Sequence, residues 1–280
     1  MNKKISAQAV MDLRKRTNVG MVECKEALQE AGGDIEEAIH ILRKKGVASA
    51  VKKSVRETNE GMIGYAEDMR GVALVEINAE TDFVVQNNDF KEFVRNVCLD
   101  VLHSRAKSVE ELCAQKSSTH PALTVEEHRV EIVHKFSENI RIKRLLYIDR
   151  GEGQSLGVYS HMGGQSVAVV TLCGSNDAKH LARKIAMHVV AETPCYLNSE
   201  EIPDDVIEKE KEIVCGQNQN KPPEIMDKIV QGKIHAFYEQ SCLYNQKYVQ
   251  DPSMNIAKFI ASEGGSEIKV VGFVHWQVGG

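Results

Sequence analysis

Val72-Ala73-Leu74-Val75-Glu76-Ile77-Asn78-Ala79-Glu80-Thr81-Asp82-Phe83-Val84 is the stretch from which the fold of this chain can be read outward. Its first six residues put Ala73, Val75 and Ile77 on one face and Val72 and Leu74 on the other, the period of a β-strand. A helix follows, with Asn88 or Asp89 placed to cap it and Phe90, Phe93, Val94, Val97 and Val101 recurring at helical spacing. Between the two lies more chain than a turn needs, carrying an acid, a phenylalanine and two valines. Taken alone, Phe83 would be expected to tuck into its own core. An internal repeat weighs against that. Gly157-Val158-Tyr159, a turn around Met162-Gly163-Gly164 and Ser166 to Leu172 reproduce the order of Gly64-Tyr65, a turn ending at Gly71 and Val72 to Ile77. A helix follows each copy; in the second, Ala178, Leu181, Ala182, Ile185, Ala186 and Val189 share one face. The copies differ at the join. Leu172 reaches its cap candidate Asp177 in five steps, whereas Ile77 reaches Asp89 in twelve. The added segment holds Asp82, Phe83 and Val84, and the packing of the repeat does not call for it. Elaborated loops on a repeated scaffold are where function concentrates.

Composition bounds the class. At 280 residues the chain can form one large domain or two to three small ones, each with its own core. Its 42% hydrophobic and 27% charged residues, with no apolar run of membrane-spanning length, describe a soluble protein without a membrane partner. Met1-Asn2-Lys3-Lys4 leads into a helical pattern with no apolar signal region, so a cytoplasmic location is expected. The seven cysteines lie far apart and form no Cys-x-x-Cys, which fits reduced thiols. Through Arg56 there are 12 Lys/Arg against 7 Asp/Glu, and beyond it 23 against 33. A basic head on an acidic body would repel a phosphate backbone overall, so direct nucleic-acid binding is not expected and an acidic protein partner suits the head at least as well.

Residues up to about Gly46 read as a compact three-helix module. Ser6 can cap a helix presenting Val10 and Leu13; Val22, Ala27 and Leu28 define a second; Asp34 with Glu37 forms a capping box for a third, with Ile35, Ala38, Ile39 and Leu42. Met21 at a loop exit belongs either to this small core or, beside Arg14 and Lys25, to a binding surface. Lys44 to Glu60 is charged and weakly apolar and reads as a linker, helical in part. Ser104 to His120 is polar, a helical segment starts at Pro121, and Asn139 to Ile148 makes a strand. Glu200 to Gln240 interrupts the second repeat unit with two amphipathic helices about a polar break, an antiparallel hairpin whose stripe serves either its own pairing or a partner. Asn255 to Ala261 is a short helix and Ile268 to Val278 a final strand.

The run Leu13-Arg14-x-Arg16-Thr17…Gly20-Met21…Cys24-Lys25-x-Ala27-Leu28, followed by Gly33-Asp34-Ile35-Glu36-x-Ala38, closely resembles the amino-terminal module of the bacterial elongation factor Ts family. Thr81-Asp82-Phe83-Val84 matches that family's second signature, and the resemblance covers essentially the whole chain. It implies an α+β fold: an N-terminal three-helix UBA-like module (1–46), a linker (47–60), and a core of two repeated α+β subdomains with antiparallel sheets (61–148 and 149–280). The second subdomain carries an inserted antiparallel helical hairpin (200–240), protruding and touching a partner. Some members have a further carboxy-terminal helical module that is absent from these 280 residues.

The function implied is guanine-nucleotide exchange on the GTPase elongation factor Tu, without chemistry, cofactor or metal of the factor's own. Thr81, Asp82, Phe83 and Val84 would then dislodge the GTPase's Mg²⁺, with Phe83 as a wedge and Val84 extending its apolar contact. Arg14, Met21, Val22 and Lys25 would dock the head, and His161 would touch the partner from the second repeat. Val22 stands where members often have a second Met, and Phe136-Ser137 replaces the familiar Ile-Gly. The residues themselves show no phosphate-cradling Gly-x-x-x-x-Gly-Lys-Ser/Thr and no His-x-x-x-His pair. His128 and His134 are expected on a solvated helix face, Cys24 and Cys173 as structural thiols. The rival classes are a ubiquitin-associated-type adaptor or RNA-binding accessory using the head alone, and a hydrolase or metal enzyme.

Overall fold

Gly64 and Gly157 show how one supersecondary unit is built twice. A Cβ on Gly64 would come within 2.4 Å of Val94 Cγ1, and one on Gly157 within 2.2 Å of the Arg183 backbone nitrogen. Each glycine lies where the helix that follows the hairpin crosses its first strand, and only a residue without a side chain lets the two approach so closely. A computed structural model describes residues 5–17, 19–218 and 222–280. Within it the chain forms two compact units, one of residues up to Asp149 together with Val278–Gly280, the other Arg150–Gln277.

The first unit opens with α1 (Ala7–Thr17), α2 (Met21–Glu30) and α3 (Ile35–Lys53). Val10, Leu13, Cys24, Ala27, Leu28, Ala38 and Leu42 form their common core, which includes the positions that helical spacing singled out. Asp34 caps α3 by accepting from the Glu37 N–H at 2.9 Å, half of the expected capping box. The helix then runs on through the first seven residues of the 47–60 stretch. Its second half has a reason to persist: Gly46 and Ala50, one turn apart, are buried and present a small-residue face.

Next come β1 (Glu60–Glu67), β2 (Gly71–Ala79), a short α4 (Asp82–Gln86), α5 (Asn88–Ser104), α6 (Val109–Ala114), α7 (Val125–Phe136) and β3 (Ile140–Asp149). The strands form an antiparallel sheet in the order β1-β2-β3. The apolar positions spaced along α5 are buried against it. Its cap is Asn87, one residue ahead of the expected pair, accepting from the Asp89 N–H at 2.9 Å. Within the polar 104–120 stretch, α6 was not anticipated; Ser108 caps it and Leu112 anchors it. Helix α7 starts four residues after Pro121, because Thr124 and Glu127 supply a reciprocal capping box.

Helix α7 also corrects the expectation of a solvated histidine face. His128 is only 6% exposed, and His134 has 11% of its side chain exposed. α3 packs on α7, and a Cβ on Gly46 would sit 3.4 Å from Val130 Cγ1 and 3.6 Å from His134 Cδ2. A periodicity that looked one-sided in sequence is thereby covered from the second side. On β2, Glu76 is fully buried yet meets Arg144 Nε at 2.7 Å, Lys143 Nζ at 3.4 Å and the Gly279 N–H at 3.0 Å. A buried carboxylate persists only with such partners.

The second unit repeats the plan with β4 (Gln154–His161), β5 (Ser166–Cys173) and α8 (Lys179–Glu192). Its third strand is delayed by α9 (Asp204–Gln217), α10 (Pro223–Ser241), β6 (Lys247–Tyr248), β7 (Asp251–Asn255) and α11 (Ile256–Gly264), and only then comes β8 (Lys269–Gln277). The sheet order is β4-β5-β8, again antiparallel, with a register shift at Thr171/Leu172 that answers the shift at Glu76/Ile77 in the first sheet. Ala178, without a side-chain cap bond, precedes α8 in place of Asp177. Helices α9 and α10 pack on each other as the expected hairpin, burying Val214 and Ile234; positions 219–221 of its polar break lie outside the described residues. The fold is therefore α+β: a three-helix head, two α+β units of the same plan, and an inserted helical hairpin. Among the described residues no helix is long and apolar enough to cross a membrane.

Candidate functional site

The connection that the second copy lacks folds as α4. Five residues cannot hold a helix alone, so its stability comes from its ends and its underside. Thr81, extended at φ −128° and ψ 153°, is the N-cap, its Oγ1 accepting from the Val84 N–H at 3.5 Å. Val84 and Val85 are buried in the core of the first unit. One turn of helix with two consecutive residues inward leaves Asp82 and Phe83 outward. Phe83 is 84% exposed, between the exposed Asp82 and the buried Val84. The ring therefore does not tuck into its own core, the reading that the segment taken alone would have favoured. Val84, expected to extend the apolar contact, is only 7% exposed, its side chain packed underneath. The Thr81 side chain is likewise engaged within the chain: its Oγ1 donates to Glu138 Oε1 at 2.8 Å.

The base of this segment is polar and closely tied. Glu80 Oε1 accepts from the Asn139 N–H at 2.5 Å and from Arg56 Nη1 at 3.2 Å. Asn139 donates its side-chain amide to the Arg56 carbonyl at 2.8 Å. None of Arg56, Glu138 and Asn139 was singled out from the sequence. No local spacing signals a partner more than fifty positions away.

On the head, Met21 and Val22 open α2 with 38% and 69% of their surface exposed, so Met21 is not core. Lys25, one turn further, and Arg14, in the last turn of α1, are exposed as well. Cys24 faces the other way; burial pushes its thiol up, which disfavours the nucleophilic thiolate. In the second unit, His161 is exposed at the end of β4, its Nδ1 3.2 Å from Tyr159 Oη. Beside it Met162, in a left-handed turn at φ 47°, is exposed too, an apolar neighbour the sequence reading passed over.

His188 is fully buried, its Nδ1 accepting from the Val249 N–H at 3.2 Å and its Nε2 facing Gln246 Oε1 at 3.0 Å. That pattern fixes a neutral ring, and burial holds its pKa below the usual histidine value. An apolar cavity of about 240 Å³ lies between the head and α7, walled by Ile39, Leu42, Val47, Leu123 and Val130, with His134 also on its lining; Arg14, Met21, Val22, Lys25 and residues 81–84 do not line it. Among the described residues no three His, Cys, Asp or Glu side chains are grouped to hold a metal ion.

Comparison with known proteins places these features in context. The family model described as elongation factor TS matches residues 80–280, beginning at the first residue of the Glu80-to-Val84 segment. The chain is 48% identical over 278 residues to elongation factor Ts of Protochlamydia amoebophila (strain UWE25), covering 98% of this chain and 99% of that one. It is 44% identical over 277 residues to elongation factor Ts of Chlamydia trachomatis serovar D, covering 98% of each, and 42% identical to that of Chlamydia felis over the same length. With an exposed aromatic on the signature segment, a three-helix head and two copies of one α+β unit, this chain belongs to the elongation factor Ts family of translation elongation proteins.

Proposed function

We propose that this protein is a cytoplasmic guanine-nucleotide exchange factor for the GTPase elongation factor Tu, performing no covalent chemistry itself. The observation that carries the reading is Phe83: an aromatic ring, 84% exposed, on a helix anchored from beneath, in the lengthened β2-to-α5 connection that the second unit lacks. A GTPase holds GDP through donors on its phosphates and through Mg²⁺. A factor that binds the nucleotide-free state better than the GDP state weakens GDP, and by reciprocity GDP weakens the factor to the same degree. Each tenfold of weakening takes about 1.4 kcal/mol of differential contact. An aromatic ring that fits only the displaced conformation is a compact source of such contact.

In this reading Phe83 inserts between helices of the GTPase domain and Asp82, exposed beside it, disturbs the groups that hold Mg²⁺. Thr81 and Val84 serve beneath, one as cap and the other as anchor. Arg14, Met21, Val22 and Lys25 dock the head on the GTPase domain, and His161 touches the partner from the second unit. We read residues 1–46 as the docking module, 47–60 as its connection, 61–148 and 149–280 as the core subdomains, and the hairpin at 200–240 as an accessory.

Stopped-flow release of a fluorescent GDP analogue from elongation factor Tu tests this directly. The expected result is a release rate that rises with the concentration of the full chain and then saturates. Binding without any acceleration would refute the exchange reading and favour an adaptor.

A further inference from the structure

Phe83 is useful as a wedge only if its helix is already in place when the partner arrives, since ordering it on contact would cost binding energy. Val84 and Val85 anchor the underside of α4. What orients its N-terminus comes from the turn between α7 and β3. Each oxygen of the Glu138 carboxylate takes one donor from Thr81: Oε2 accepts the backbone N–H at 3.1 Å and Oε1 accepts the Oγ1 hydroxyl at 2.8 Å. With its proton committed to Glu138, the hydroxyl presents its lone pairs to the helix, where it accepts from the Val84 N–H at 3.5 Å. The carboxylate thereby sets the rotor of the cap. Ser137, left-handed at φ 58°, ends α7 and turns the chain so that Glu138 reaches back to Thr81. Sheet register does not require this contact, because Ala79 already pairs with Ile140 next to it. The neighbour Asn139 completes the clamp by donating to Glu80 and to the Arg56 carbonyl.

We propose that Glu138 is a positioning residue, holding Thr81 and the α4 N-terminus so that the Phe83 ring is presented to the partner in one preformed orientation. The proposal rests on the exchange reading above and adds to it a residue that does not itself touch nucleotide or metal.

The test compares full-length wild type, Glu138→Ala, Phe83→Ala and the double variant in stopped-flow GDP release from elongation factor Tu, each at saturating concentration. Glu138→Ala should slow release about tenfold in the wild-type background, the scale expected when a binding group is misplaced, and less than about twofold when Phe83 is already alanine. Glu138→Gln, which keeps one acceptor, should fall between. Amide exchange should quicken at residues 82–86 in Glu138→Ala and stay unchanged along α5. Equal slowing in both backgrounds would overturn the proposal, since Glu138 would then act elsewhere. Full activity of Glu138→Ala beside an impaired Phe83→Ala would overturn it as well while leaving the wedge intact. A Phe83→Ala protein with unchanged release would remove the wedge and the clamp together. Should Glu138→Ala not fold, Thr81→Val takes its place in the same comparison, with the same outcomes deciding.

Discussion

Replacing Phe83 with alanine separates a wedge from a packing residue more cleanly than any other change. A phenylalanine side chain removes about 150–250 Å² from water when it is enclosed, and 84% of the surface of Phe83 is still available. Taking about 150 Å² at about 25 cal/mol/Å², full insertion into an apolar pocket is worth about 4 kcal/mol. Alanine keeps only the Cβ, so about 3 kcal/mol is lost, an upper limit of about two decades in affinity for the nucleotide-free partner. Contact made equally in the GDP-bound complex does not drive release, so the expected slowing lies between about tenfold and about a hundredfold. Phe83→Leu should recover part of it. Because the ring makes little contact with its own chain, the melting temperature should move by less than about 2 °C. The assay is release of a fluorescent GDP analogue at saturating factor, paired with a thermal melt of the same preparation. A change below about threefold in a folded variant would refute the wedge, and so would a melt lowered by several degrees, which would mean that the ring supports its own fold.

Three further outcomes follow from the packing. Burial, reinforced by His120 and opposed by Asp100, pushes the His128 imidazole down to about 4. Its folded value lies below its unfolded one, so the unfolded chain takes up the proton first; stability is intact above about pH 6.5 and lost as the pH falls towards 4, by about 2 kcal/mol at pH 5. Urea unfolding at pH 7 and 5 should show that loss shrinking by this amount in His128→Leu, and an equal loss would exclude His128 as its source. Ser137→Gly should raise stability by up to about 1 kcal/mol, because a side chain at φ 58° is strained and glycine is not; a lower urea midpoint would contradict this. Gly157→Ala should cost about 3 kcal/mol by forcing α8 off its strand, whereas Gly216→Ala, with open space around the added carbon, should leave the thermal melt unchanged or slightly higher.

Much of this protein is legible in local spacing. Strand alternation from Val72 to Ile77, the apolar positions of α5 and α8, and the capped helices of the head all lie where period and cap chemistry put them. These patterns are local because one face of each element must be apolar to join a core. What sequence did not mark is whatever depends on a second neighbour. His134 looks solvated until α3 is laid along α7, His128 until Phe93 of α5 and His120 meet its ring, and Val84 looks available until α4 is seen to need it underneath. The short helices α4 and α6 escaped notice because five or six residues carry no measurable period.

By itself the sequence determined the two-fold repetition, the added segment between β2 and α5, and family membership through motifs that survive as residue types. Only the tertiary structure decided that Phe83 points to solvent while Val84 does not, and that Glu138 and Asn139 hold their segment from more than fifty positions away. The physical reason is that spacing specifies which side chains share a face of one element. Which faces are covered, and which carboxylate meets which donor, is settled only when distant elements pack.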